Sequence, residues 1–236
     1  MNTLLTAHWT NLAVATYRAD HNLLKAHLPR GTEIANWNGN CYMSIVAFLF
    51  EKPAFLGIPS PFFRKFEEVN LRFYVRRKAK EGWRKGVVFI REISPSRIIG
   101  TVAKWLYGEK FTSLPMQHSI KKDINATQVS YTWQLPGSTN CLEMTHSNEH
   151  FIPGNGSLES YIHDHFYAYT ALNDTTREFT IEHRPWNIHK GLSFGMKVDA
   201  KELYGQEFVE YLQGVPESYF LMDGSFTKVS FPHIIH

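Results

Sequence analysis

The sequence predicts an α+β domain that is mainly antiparallel β, with a few packed helices, and three observations lead there. Residues 66–77, FEEVNLRFYVRR, alternate strictly between the apolar Val69, Leu71, Phe73 and Val75 and the polar Glu68, Asn70, Arg72 and Tyr74. That period of two marks a strand with two chemically distinct faces. Further strand-like runs, around 116–120, 128–134 and 141–145, are separated by turn residues at hairpin-like intervals. Helical spacing is confined to short stretches between such runs.

The elements follow in chain order. Residues 8–17 are rich in apolar and β-branched side chains and form a strand. Asp20 then caps a short helix carrying Leu23, Leu24 and Leu28, which Pro29 and Gly31 stop. NCYMSIVAFLFE, 40–51, is a buried strand, and the Pro-rich run 53–61 is expected as a rigid loop. GVVFIREI, 86–93, is the hairpin partner of 66–77, closing around a basic connection. Ser94 and Pro95 open an amphipathic helix with Ile98, Ile99, Val102, Trp105 and Leu106 on one face, and Gly108 closes it. A helix is expected over 157–170, with Leu158, Ile162, Phe166 and Tyr169 on one side, and another over 199–212 with an acidic start. Strands over 179–183, 192–198, 218–221 and 226–231 complete the chain.

With 236 residues, 43% of them hydrophobic and 14% aromatic, the chain can bury one large core, and a single domain over 1–236 is expected. Lys+Arg 25 against Asp+Glu 22 leaves +3, too mild a balance for a nucleic-acid partner. The densest basic stretch, Arg76 to Lys85, is broken by Glu81, Gly82 and Trp83 and is expected as an exposed connection. Cys41 and Cys141 sit in apolar surroundings and are expected as reduced, buried thiols. The N-terminus lacks a signal-peptide pattern and the longest apolar run is far shorter than a bilayer span. Those features predict a cytoplasmic protein with no membrane partner.

The polar face Glu68, Asn70, Arg72 and Tyr74 is the most informative chemical feature, because four polar groups are expensive to bury unless they pair or meet a polar ligand. Two readings stand. The groups form the solvent face of a one-sided sheet, or they line an interior where Arg72 clamps a carboxylate, Glu68 acts as acid or base, and Asn70 and Tyr74 orient the ligand. Lys110, among Tyr107, Phe111 and Leu114, is the candidate for a Schiff base, its structural alternative being an exposed loop lysine. His163, Asp164 and His165 form the densest histidine group, but on a helix residues two apart diverge by about 200°, so no metal site is expected there. His183, Trp186 and His189 are expected to pack around the Pro185 corner. No Gly-x-Ser-x-Gly elbow, phosphate loop or dinucleotide fingerprint is present, and no cofactor is expected.

Four motifs in order, HWTNLAVATYRADHNLLKAHLPRGTEI, FEEVNLRFYVR, a helix ending in WLYG, and EHRPWNI, resemble the YqjF-like family, over nearly the whole chain. That family is grouped with the acetoacetate decarboxylase-like proteins. The resemblance implies a mainly antiparallel barrel or cone around a small-molecule pocket, and assembly into homo-oligomers. It implies that one face of 66–77 looks inward, which favours the ligand-lining reading. In the decarboxylase a Schiff-base lysine works beside a second lysine. Lys110 falls at the first position and Phe111 at the second, Glu68 falls at a pocket glutamate, and Thr10 stands where the pocket arginine would be. The resemblance therefore implies a pocket that binds a small carboxylate or carbonyl compound, with a Schiff-base enzyme using Lys110 as the rival and a filled structural or interaction module as the third alternative.

Overall fold

The computed structural model describes residues 3–60, 64–96, 100, 107–108 and 110–235. The first strand, β1 (Thr3–Ala19), runs into a capped turn of helix, α1 (His21–Lys25), where Asp20 Oδ1 accepts the backbone N–H groups of Asn22 and Leu23. Two short pieces, β2 (Glu33–Ile34) and β3 (Asn36–Trp37), lead to β4 (Asn40–Phe55), β5 (Ile58–Pro59), β6 (Lys65–Ala79), β7 (Gly82–Ser94) and β8 (Phe111–Ser113). Then come β9 (Met116–Lys122), β10 (Ala126–Leu135), β11 (Ser138–Phe151), α2 (Leu158–His163), β12 (Tyr167–Leu172), β13 (Thr175–His183) and β14 (Ile188–Lys197). The chain finishes with α3 (Ala200–Leu203), a 3₁₀ turn (Gln206–Phe208), α4 (Val209–Gln213), β15 (Ser218–Ser230) and β16 (His233–Ile235). The α+β, mainly antiparallel prediction holds.

Strand pairing returns on itself. From β13 the neighbours run β12, β7, β6, β4, β1 and β15, and β15 pairs back onto β13 through Ile181 with Val229 and His183 with Thr227. Of these seven contacts only β7–β12 is parallel, and there the chains approach so closely that a Cβ on Gly86 would lie 2.5 Å from the Tyr167 carbonyl oxygen. β14, β11, β10 and β9 continue from β15 and fold over the outside of the circuit, where Tyr131 Oη donates to the Asn11 carbonyl at 2.7 Å.

Two apolar cores result, one on each face of the strands. Inside the circuit lie Trp9, Phe48, Phe50, Phe66, Phe179 and Met222; outside, Leu71 and Phe73 of β6 pack with Tyr131 and Trp133 of β10 and with Leu203 and Phe208. Each fully buried side chain of this size contributes about 1.5–3 kcal/mol, so β6 is anchored from both sides. This explains why its two faces differ chemically without either facing solvent.

Several local expectations are corrected. The run 53–61 is not a loop throughout, since β4 continues to Phe55 and turns back into β5. The basic stretch, by contrast, is the exposed connection expected of it, the end of a hairpin in which β6 and β7 pair from Arg76 with Lys85 to Ala79 with Gly82. The helix expected over 157–170 ends at His163, and 167–172 instead pairs with β7 and β13 as a strand, because Ala168 and Tyr169 find buried sites there. The helix over 199–212 is broken at Gly205, whose φ of +119° no helix accommodates. Strands 218–221 and 226–231 are one strand, β15, continuous through Gly224 at φ +82°, where a Cβ would lie 1.9 Å from the Trp9 carbonyl oxygen. Cys41 is buried and Cys141 only half-buried, both unbridged. The helix read over 94–108 falls mostly outside the described residues. Among the described residues no helix is long and apolar enough to cross a membrane.

Candidate functional site

The inward face of β6 carries Phe66, Glu68, Asn70, Arg72 and Tyr74, the first four in register with Phe50, Phe48, Val46 and Ser44 of β4. A cavity opens against its middle. Its walls come from six of the seven strands in the circuit, with Trp9, Phe50, Phe89, Phe179 and Val229 supplying apolar surface and Glu68, Asn70, Arg72 and Glu92 the polar groups. Three of the four predicted β6 residues are thus brought together.

Glu92 was not among the sequence candidates, and a β-bulge explains why. Arg72 pairs with Phe89 and Leu71 with Arg91, so Ile90 is the extra residue. Simple alternation would place Arg91 on the face of Phe89. The bulge instead turns Arg91 outward, to donate to Thr112 Oγ1 at 2.7 Å, and brings Glu92 inward opposite Asn70. No periodicity in GVVFIREI announces that shift.

Glu68, Asn70 and Glu92 are all buried, and Asn70 Nδ2 donates to Glu68 Oε1 at 3.1 Å. Burial holds the Glu68 carboxyl well above the usual carboxylate range. The charge of Glu92 adds to the shift, while the Asn70 amide and Arg72 oppose it. A protonated Glu68 can donate a hydrogen bond, which a carboxylate cannot. Among the described residues Asn70 Oδ1 and Arg72 Nε are buried without a hydrogen-bond partner, a rare condition for groups of such polarity.

Tyr74 does not join them. Its hydroxyl is 2.6 Å from Ser44 Oγ, which is 2.7 Å from Thr16 Oγ1, and its ring is covered by Tyr161 and His165 at centroid distances of 5.5 and 4.7 Å. It is a packed part of the interior and not a cavity wall. Lys110 is also elsewhere. Phe111 lies in β8, parallel to β7 and level with Glu92, so it faces the cavity while the preceding residue faces away. Lys110 is exposed, beside a separate cleft that it shares with His27, and its backbone carbonyl accepts the Glu92 N–H at 3.0 Å. The expected packing of Lys110 among aromatic side chains is therefore absent. Among the described residues no lysine lines the cavity.

His163 and His165 do not share a helix. The helix stops at His163, and both histidines reach the same small compartment behind Arg72. His163 Nε2 accepts the Trp186 backbone N–H at 3.1 Å and is already used. Among the described residues no group of three or more His, Cys, Asp or Glu side chains is arranged to hold a metal ion. His183 stacks on Trp186 at 3.7 Å, as the packing expectation required, whereas His189 lies with His146 on β11 and β14.

Residues 6–225 match the DUF2071 family, described as uncharacterized conserved protein. The chain belongs to that family. This DUF2071 member is 23% identical over 200 residues to the uncharacterized protein YqjF of Bacillus subtilis (strain 168), covering 81% of this chain and 79% of the relative. Its fold is that of acetoacetate decarboxylase-like proteins. An acetoacetate decarboxylase-like enzyme from Sphingomonas wittichii RW1 superposes with a TM-score of 0.70 at 14% identity, over 100% of this chain and 94% of the other. The acetoacetate decarboxylase of Legionella pneumophila gives 0.67 at 10% identity, over 99% and 87%. The enduracididine biosynthesis enzyme MppR complexed with pyruvate gives 0.65 at 10% identity, over 99% and 91%. At these identities the likeness describes the fold of this DUF2071 member and leaves its chemistry to its own residues.

Proposed function

We propose that the seven-strand circuit is a small barrel that takes up a small organic molecule bearing a carboxylate and a carbonyl group. The observation that carries the reading is a pair of buried atoms with no hydrogen-bond partner among the described residues, Asn70 Oδ1 and Arg72 Nε, at a cavity whose other polar side chains are Glu68 and Glu92 and whose remaining wall is mostly aromatic and aliphatic carbon. Such atoms are destabilising by about 1–3 kcal/mol each unless something in the cavity meets them. Arg72 supplies a cation for a carboxylate, and the protonated Glu68 supplies a donor for a carbonyl oxygen. Glu92, beside it, is positioned to exchange a proton with the same ligand. The pyruvate bound by a structural neighbour is consistent with this chemistry.

Ligand-induced thermal shifts across a library of small carboxylates and ketones test the reading. Compounds carrying both groups are expected to raise the Tm of the wild type, and Arg72→Met is expected to abolish that rise. Undiminished shifts for every hit in Arg72→Met remove Arg72 from the site. Schiff-base chemistry at Lys110 is not part of the proposal, since that lysine lies outside the cavity. Borohydride treatment with pyruvate is accordingly expected to leave Lys110 unmodified in a peptide map.

A further inference from the structure

Arg72 lines two spaces. On one side is the cavity with Glu68 and Glu92; on the other is a smaller compartment walled by Trp9, His163, His165, His183 and Trp186. Trp9 and Ile181 also border both, so the two spaces adjoin at Arg72.

The unpaired polar atoms of the smaller compartment are mostly donors. Trp186 Nε1 donates to Ser225 Oγ at 2.8 Å, and His163 Nε2 accepts the Trp186 N–H. His183 Nδ1 lies 2.9 Å from the Arg184 carbonyl, which can only accept, so that nitrogen carries the proton. Three residues remain unsatisfied. Trp9 Nε1–H and Arg72 Nε–H are buried donors without partners, and His165 has neither ring nitrogen paired. The backbone carbonyls of Tyr161 and Ile162 approach the His165 ring without hydrogen-bond geometry. Trp9 and His165 are 8% and 7% exposed, so solvent does not satisfy them. Burial, reinforced by the charges of Arg72 and Lys85, keeps His165 neutral with its pKa lowered to about 3, and a neutral imidazole has one N–H to donate.

From these three unmet donors around one small space we infer that the compartment behind Arg72 is the carboxylate subsite of the bound ligand, with Trp9 and His165 as specificity-determining residues. The inference rests on the ligand-binding reading above and refines it: the carboxylate lies deep, between Arg72, Trp9 and His165, and the carbonyl end extends back toward Glu68 and Glu92. A carboxylate offers two oxygens with about four lone-pair sites, enough for all three donors, while the second nitrogen of the neutral His165 stays an unpaired acceptor. It also explains why polar groups persist in a wall that includes Val87, Ile162, Ile181 and Met222.

The test is isothermal titration of pyruvate and of methyl pyruvate into the wild type, Trp9→Phe, His165→Phe, His165→Gln and Arg72→Met, with the Tm of each variant recorded. Trp9→Phe keeps an aromatic ring and removes the N–H, so it reports on the donor even if the histidine variants fold poorly. Pyruvate affinity is expected to fall about tenfold or more in Trp9→Phe and His165→Phe, with partial recovery in His165→Gln. The methyl ester, lacking the carboxylate, is expected to bind all five proteins alike. If Arg72→Met loses pyruvate while Trp9→Phe and His165→Phe keep wild-type affinity, the subsite is wrong and the ligand-binding reading stands. If pyruvate, acetoacetate and levulinate all bind the wild type no better than Arg72→Met, the reading itself fails and takes the subsite with it.

Discussion

Glu68 and Glu92 face one cavity from neighbouring strands, and the charge of Glu92 adds to burial in raising the pKa of the Glu68 carboxyl. A carboxyl whose folded pKa lies above its unfolded value of 4.5 contributes stability below that value and loses it as the pH rises through the folded pKa. Glu68→Gln, which cannot ionise, is therefore expected to gain on the wild type with rising pH, by on the order of 1 kcal/mol at neutrality. Urea denaturation of both proteins from pH 4 to 8 checks it. A stability difference independent of pH would mean that Glu68 titrates normally.

His165 and His183 behave in the opposite sense. Burial is the first cause of both shifts, lowering their pKa values to about 3 and about 4. The unfolded chain takes up protons first as the pH falls below about 6.5, so folding stability declines toward pH 4, by up to about 1.4 kcal/mol per pH unit for each histidine. The double variant His165→Gln/His183→Gln is expected to show a shallower decline between pH 6.5 and 4.5. Equal slopes for variant and wild type would count against neutral, buried imidazoles.

Glu178 is fully buried and gathers two guanidinium groups and a histidine. Arg77 Nε donates to it at 2.7 Å, Arg84 also donates to it, and His233 Nε2 lies 3.1 Å away, so β6, β7, β13 and β16 meet at one carboxylate. Removing it strands the Arg77 guanidinium and leaves Arg84 only Glu81, both arginines being only 18% exposed. Glu178→Ala is expected to lower unfolding free energy by about 3–5 kcal/mol, measured by urea titration.

Gly224 carries the continuity of β15 past Trp9. Gly224→Ala combines a strained positive φ with a clash against a backbone atom that cannot swing aside. A loss of at least about 3 kcal/mol is expected, seen as a reduced Tm or loss of folded protein. Gly137, also at positive φ but with open space around it, serves as the control, and Gly137→Ala is expected to lose much less.

Ser44 links Thr16 to Tyr74 in a buried chain of hydroxyls. Ser44→Ala is expected to destabilise by about 1–3 kcal/mol because both neighbours lose a partner. Adding Tyr74→Phe removes one orphaned hydroxyl and is expected to recover part of that loss, which a double-mutant cycle reads directly.

What the sequence determined by itself was the chemistry of individual faces. The alternation of 66–77 fixed which β6 residues share a side, and so placed Glu68, Asn70 and Arg72 together before any partner strand was known. It also fixed the Asp20 cap and the mainly antiparallel class, because these depend on neighbours a few residues away. Tertiary structure decided the rest. Whether the polar face met solvent or a cavity depended on β13 pairing with β15 across nearly fifty residues of sequence. Glu92 entered the site through a bulge, His165 left its helix because 167–172 found strand partners, and Lys110 turned outward because Phe111 paired beside Glu92. Each outcome was set by hydrogen bonding to a distant strand, which local periodicity cannot encode.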